Sequence, residues 1–327
     1  MVLLYVSFLA NAKAISSTRP SGKGSILRRL RFGIPLYTMM IPGMLYLFIN
    51  NYLPMAGLVV AFKKYNAKQG IFGSDWVGFS NFEYLFKTSD AWVITRNTLL
   101  YNTAFIIVNT VLSIFIAILL SELFSVTARK FYQSAILLPF LISTVIAGYL
   151  VFGFLSTDSG FINKSILPLL GIDPIAWYNE PDYWPVILIL VNIWKNVGYN
   201  CIIYLSAIIG IDRQYYEAAS LEGAGKVRQI FSITIPMIKP VTIMLVLLAI
   251  GRIFYADFGL FYQVPMNSGA LYPTTNVIDT YVYRSLLQIG NIGMSSAAGF
   301  YQSIVGLVLV TCANLVIRKV DPESALF

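Results

Sequence analysis

The residues with the greatest chemical capacity in this chain are two cations set in apolar runs, Lys195 within PVILILVNIWKNVGYN and Arg252 at the end of VTIMLVLLAIGR. A charge moved from water into hydrocarbon costs ~2.5–3.5 kcal/mol on insertion scales, so each calls for a functional account. Asn192, Asn200, Tyr255 and Asp257 stand close to them in sequence. Carboxamides and a guanidinium supply hydrogen bonds, and tyrosine supplies an aromatic face. Together they suit a sugar ring, which has an apolar face and a rim of hydroxyls. Asn192, Lys195, Asn200, Arg252, Tyr255 and Asp257 are therefore the candidate lining of a passage. If the cations face it, carboxylate pairing favours an acidic oligosaccharide. The alternative is structural: either cation pairs with Asp257 or a backbone carbonyl, or reaches back to the membrane interface.

Bond-making chemistry has little support. There is no histidine, no HExxH, no GxSxG and no paired acid cluster inside an apolar run, so hydrolytic and histidine-based proton chemistry are not expected. Cys201 and Cys312 each lie in an apolar stretch with no Cys or His at ligand spacing, and read as small packing residues. No metal site and no bound cofactor is expected on this chain. A phosphate loop needs G-x-x-x-x-G-K-[ST]; Gly225-Lys226 imitates its core, but Ser220 stands at the first glycine and Val227 at the final hydroxyl. Any ATP and its magnesium belong on another chain.

The elements that must position these residues are membrane helices. Hydrophobic residues make up 57% of the chain and charged ones 12%, against roughly 45–50% and 25% in soluble domains. The net charge of +8 is scattered between apolar runs instead of forming one basic face, which argues against nucleic acid and for topology signals. A spanning helix needs ~20 apolar residues. Six runs qualify, near Ile34–Val60, Thr98–Leu123, Tyr132–Phe154, Trp184–Gly210, Val241–Tyr255 with its continuation, and Ala297–Ile317. The expected fold is an all-α polytopic membrane protein with six core transmembrane helices. A cytoplasmic tail is expected over 1–32, the six-helix domain over 33–320, and a short tail over 321–327. Met1–Ala10 is apolar but too short to span, and has no basic stretch before it as a signal peptide would.

Lys and Arg are retained on the cytoplasmic side. With both termini inside, fourteen of them fall inside and seven outside, with Lys63, Lys64 and Lys68 against the trend. The outer segments Gln69–Phe86 and Asp158–Trp184 are rich in aromatics, Gly and Pro, the makeup of compact surface structure.

Between the fourth and fifth runs lies DRQYYEAASLEGAGKVRQIFSITIPMIKP, Asp212–Pro240, the most polar inner segment. Asp212 can cap a helix over Gln214–Glu222, Gly223 and Gly225 can turn the chain, and a second amphipathic piece follows with Val227, Ile230 and Phe231. Pro236 and Pro240 mark re-entry to the membrane. Two short helices joined by a glycine bend form a docking knob for a soluble partner.

Glu217-Ala218-Ala219, three residues, Gly223, nine residues, then Ile233-Thr234-Ile235-Pro236 resembles the EAA loop of binding-protein-dependent ABC importer permeases. Ile235 replaces the usual Leu, and Glu222 the common Asp. WVGFSNFEYLF at Trp76–Phe86, ILLPFLIS at Ile136–Ser143, FYQVPMNSGALYPT at Phe261–Thr274 and GMSSAAGFYQSIVG at Gly293–Gly306 extend the resemblance to the carbohydrate branch, and the terminal VDPESALF to its complex-oligosaccharide subgroup. The resemblance implies a permease subunit in a bacterial cytoplasmic membrane. It implies pairing with a second, similar permease, two ATP-binding subunits and an extracellular solute-binding lipoprotein. It further implies that Glu217, Ala218, Ala219, Glu222, Gly223, Ile233 and Pro236 couple the chain to the ATPase, with Glu217 and Glu222 reaching basic groups. Asp279, Tyr281, Tyr283 and Arg284 are one candidate contact for the solute-binding protein. The rival readings are a secondary carrier, for which no carboxylate stands near the middle of a span, and a channel, which has no need of a docking knob.

Overall fold

A computed structural model describes residues 24–123 and 125–320; the expectations for Met1–Ala10, for the tail up to residue 23 and for 321–327 lie outside them. The chain forms two compact units, one up to Leu58 and one from Val59 onward. In the first unit, α1 (Gly24–Leu47) starts ten residues before the apolar run does, because Leu and Arg in SILRRLRF are good helix formers and extend it beyond the hydrocarbon-length segment. It runs on through wider and then tighter helical turns toward Phe62.

In the second unit, Lys63–Lys64 and Asp75–Trp76 pair as a two-residue antiparallel ribbon. It leads to α2 (Ser80–Lys87) and α3 (Asp90–Ser121). The rings of Phe62, Phe79, Phe82 and Phe300 pack edge-on or tilted, with Trp76 stacked on Phe62, and fold the first aromatic segment, Gln69–Phe86, onto the helices. The second, Asp158–Trp184, is held by Asn163, whose carboxamide accepts from Trp177 Nε1 at 3.0 Å and donates to Ile175 O at 2.9 Å.

Among the described residues five helices are long and apolar enough to cross a membrane, and a bent pair offers a sixth crossing. That pair falls on the expected span over Tyr132–Phe154 and shows it broken in two. Val126–Leu141 (α4) and Thr144–Leu155 (α5) meet at 94°. The cause is local. Pro139 withholds a backbone donor, Ile142 is extended, and Ser143 accepts from Ile146 N to start a new helix.

Helix α6 (Trp184–Ile209) packs along α3 and against α4. It approaches α4 most closely at Gly198, where a β-carbon would run into the Ile136 carbonyl. After α7 (Arg213–Leu221) the chain enters α8, which runs from Lys226 to Ile250. This is a correction: the piece after the glycine bend is not a short helix, and the prolines do not break it from the span. A five-residue wide turn at Ile230–Thr234 precedes Pro236 and absorbs the missing donors. After α8 the chain unwinds over Gly251–Asp257 into α9 (Phe258–Gln263), then α10 (Ile278–Leu287) and the last crossing α11 (Ile292–Val320).

Candidate functional site

Between the middle of α3 and α6 and the carboxyl-terminal end of α8 lies a cavity of about 290 Å³. From α3 it takes Asn102, Phe105, Ile106, Asn109 and Thr110, spaced so that all lie on one helical face. From α6 come Asn192, Asn196, Tyr199, Asn200 and Tyr204 at similar spacing. Helix α8 adds Leu245 and Ala249, and the unwound turn after it adds Arg252 and Tyr255. Five carboxamides, a threonine, three tyrosines and one guanidinium line the space, and among the described residues no carboxylate does.

Four of the five carboxamides are held by hydrogen bonds, some within a helix and some between elements. Asn109 Nδ2 donates to Asn192 Oδ1 at 2.8 Å, joining α3 to α6, and Asn196 Nδ2 donates to Asn192 O at 3.0 Å. Asn102 Nδ2 donates to Ile253 O at 2.7 Å and so holds the unwound segment that carries Arg252 and Tyr255. Polar groups buried among apolar helices usually have partners; Asn109 and Asn192 are each other's, while among the described residues Asn109 Oδ1 is buried with no partner.

Four of the six residues selected from the sequence, Asn192, Asn200, Arg252 and Tyr255, therefore share one cavity. Lys195 and Asp257 do not line it. Lys195 is 8% exposed and its ammonium donates to Ile142 O at 2.6 Å, the backbone-carbonyl alternative, at the break between α4 and α5. The Asp257 carboxylate accepts from Leu260 N at 3.1 Å and caps α9. The sequence reading missed Asn102, Asn109 and Thr110 on α3. Their signal was two asparagines seven residues apart in an apolar helix, which places both on one face.

At the far end of α3 the Asp212–Pro240 segment forms a second site. Asp212 Oδ1 accepts from Gln214 N at 3.0 Å, and Gly223 takes φ +80°, the left-handed conformation that glycine adopts without strain. Gln229, buried in the angle between α7 and α8, donates to Ser220 Oγ at 2.8 Å and Ala224 O at 3.1 Å; Tyr216 and Thr234 hydroxyls meet at 2.9 Å. The corner is thus rigid. On its outside Glu217, Ala218, Glu222, Gly223 and Pro236 are exposed, while Ala219 and Ile233 are half-buried beside a hollow of about 230 Å³. Leu221, Val227 and Phe231 also stand exposed there. Lys226 and Glu122, at the end of α3, form an ion pair at 2.7 Å.

Residues 91–323 match the family described as binding-protein-dependent transport system inner membrane component. The chain belongs to that family. It is 34% identical over 305 residues to protein LplB of Bacillus subtilis, covering 93% of this chain and 95% of that one. It is 36% identical over 289 residues to YteP, the polygalacturonan/rhamnogalacturonan transport system permease protein of the same organism, covering 88% and 89%. Among solved structures, a chain of a bacterial ABC transporter involved in the import of the acidic polysaccharide alginate superposes with a TM-score of 0.82 at 32% identity, over 91% of this chain and 99% of that one. A second structure, of the alginate transporter in complex with alginate pentasaccharide-bound periplasmic protein, gives 0.81 at the same identity. The chain is thus a multi-pass ABC transporter permease, a transport subunit, of helical fold. In this permease the polar cavity lies between α3, α6 and the end of α8, and the hydrogen-bonded corner lies at the far end of α3.

Proposed function

We propose that this permease is one half of an ATP-driven importer that carries oligosaccharides, acidic ones among them, and that both its termini are cytoplasmic. The observation that supports this most is the cavity between α3, α6 and α8: it is lined by five carboxamides and three tyrosines, and among the described residues Arg252 is its sole ionisable group other than the tyrosines. Carboxamides donate to and accept from sugar hydroxyls, tyrosine rings stack on sugar faces, and a guanidinium pairs with a uronate carboxylate in a two-pronged bond. The named substrates of YteP and of the alginate transporter, both acidic polysaccharides, point the same way.

A second permease completes the passage, a solute-binding lipoprotein delivers the sugar, and two ATP-binding subunits drive the cycle. Glu217, Ala218, Ala219, Glu222, Gly223, Ile233 and Pro236 form the seat for one ATPase. Small residues there allow close approach, and the exposed Leu221, Val227 and Phe231 supply an apolar contact. Because α8 is continuous from the corner into the cavity wall, a tilt of the corner moves Leu245 and Ala249 with it.

The experiment is uptake by the reconstituted importer of a uronate oligosaccharide and of its methyl ester, with wild type and Arg252→Gln. Loss of a charge-assisted bond is expected to lower acid uptake roughly tenfold or more while the ester changes little. Equal effects on both sugars would remove the acidic-substrate reading; uptake without ATP would remove the importer reading.

A further inference from the structure

A second cavity, of about 420 Å³, lies at the opposite end of α3 from the docking corner, against Asp90 and Ser89 and the carboxyl-terminal half of α10. Small-molecule sites run to roughly 300–1,000 Å³. Its central group is Arg284, only 9% exposed. The guanidinium donates to Asn267 Oδ1 at 2.8 Å, to Thr280 Oγ1 at 2.9 Å and to Asn276 Oδ1, and lies 4.0 Å over the Tyr272 ring. Asn267 holds φ +48° to present its oxygen, a conformation few residues adopt.

All three acceptors are neutral. A neutral donor could make such bonds without taking a charge out of water, so the tether alone does not account for a buried cation. No carboxylate of the described residues lies within ion-pair distance of it. Asp279 on the same helix is turned to Ala256 N and Gln302 instead. The helix dipole adds to the imbalance, because the Arg284 side chain runs back to Asn276 and Thr280, at the amino end of α10, where the helix itself is positive. Lys195 differs: its ammonium sits on the last carbonyls of α4, where a helix end is negative. Arg284 thus sums two positive sources at the wall of a cavity whose lining is otherwise largely apolar.

We propose that this cavity is an entry subsite that takes the carboxylate of an acidic sugar unit. The subsite rests on the reading of the permease as a sugar importer. Arg284 pairs with the carboxylate, while Ser89, Asp90 and Gln288 at the rim take hydroxyls. From Asp90 to the central cavity is 12 to 20 residues of α3, or about 18–30 Å at ~1.5 Å per residue, so only a chain of several sugar units engages both. Arg284 therefore selects for long acidic chains, and monomers do not depend on it.

The test is uptake of a uronate hexamer, the uronate monomer and the methyl-esterified hexamer by the complete importer, alongside binding of the sugar-free solute-binding protein to it. Arg284→Gln should raise KM for the acidic hexamer roughly tenfold to a hundredfold, leaving the monomer, the ester and protein docking within about twofold. Ser89→Glu leaves Arg284 in place and puts a competing carboxylate on the exposed rim; it should do the same, which covers the case in which Arg284→Gln fails to assemble. Asp90→Asn should lower that KM. Unchanged KM for the acidic hexamer, or equal losses on acid and ester, would overturn the subsite. Weakened docking of the sugar-free protein would assign the cavity to that partner instead. Absence of any sugar uptake by the wild type would instead fail the importer reading and the subsite with it.

Discussion

The Lys195 ammonium donates to the Ile142 carbonyl at 2.6 Å, across the break that turns α4 into α5. Two features of the chain meet there: a buried cation on a crossing helix, and a helix end whose last carbonyls lack following helical N–H partners because Ile142 is extended. A cation at that end is stabilised by both the bond and the helix dipole. Lys195 thereby ties the bend to α6, whose neighbouring turns carry Asn192, Asn196, Tyr199 and Asn200 into the cavity.

The bond sets the response to substitution. Lys195→Met removes the ammonium together with its burial cost, so the net destabilisation should be about 1–2 kcal/mol, at the low end for a bond to a charged group. Lys195→Glu, which sets an anion on the same carbonyl, should cost more. Thermal unfolding of the purified importer reads both. Neither change should alter the preference between acidic and neutral sugar; a shift in preference beyond the loss of stability would put the ammonium in the passage.

Gly223 supplies a second test. Its φ of +80° costs an ordinary residue about 1–2 kcal/mol, and asparagine less. A β-carbon there meets nothing of this chain within 4 Å, so the backbone strain is the whole intramolecular effect. Gly223→Asn should consequently fold nearly as well as wild type. If an ATPase seats against this turn, the added side chain collides with it, and uptake per ATP hydrolysed should fall by an order of magnitude at preserved stability. Retained coupling in Gly223→Asn would mean that the partner seats elsewhere.

Sequence alone carried these two regions unequally. The corner was readable because each of its devices is local: Asp212 caps within two residues, and Gly223 turns the chain where helix formers stop. Composition likewise identified the crossings, since any stretch of the required length and apolarity is visible in one window. The break at Ile142 was hidden by the same averaging, although Pro139 and Ser143 both signal it. The cavity was half visible. Asn192 and Asn200 stood beside a conspicuous cation, whereas Asn109 gains its meaning from a contact with a residue 83 positions away. Nothing in the local sequence could say that Lys195 faces a helix break and Asn192 a cavity.

Asp279 gives a pH-dependent expectation. Burial raises its carboxyl above the ordinary 3.8, and hydrogen bonds from Ala256 N and Gln302 offset this only in part. The folded state then holds the proton more tightly than the unfolded chain. Its contribution to stability is greatest below about pH 3.8 and is lost as pH rises through the elevated value. The difference in unfolding free energy between wild type and Asp279→Asn, followed upward from pH 3, should therefore shift steadily against the wild type and then level off. A difference that is flat with pH, or that moves the other way, would contradict this assignment.

The Glu122–Lys226 pair joins the end of α3 to the start of α8, and hence links the docking corner to two walls of the cavity. Its side chains are 45% and 69% exposed, so solvent screening limits its value to about 0–1 kcal/mol, and stability should barely register its loss. Its consequence lies in geometry: with the pair intact, a tilt of the corner pulls on α3 as well as α8. Glu122→Lys sets two cations together and should reduce uptake per ATP severalfold, with the unfolding midpoint nearly unchanged. The exchanged pair Glu122→Lys with Lys226→Glu restores the attraction in reverse and should recover most of that coupling, a non-additivity that two independent surface charges would not give. If the double exchange is as poorly coupled as the sum of the two single changes, force passes from the corner to the cavity through the continuous helix α8 alone.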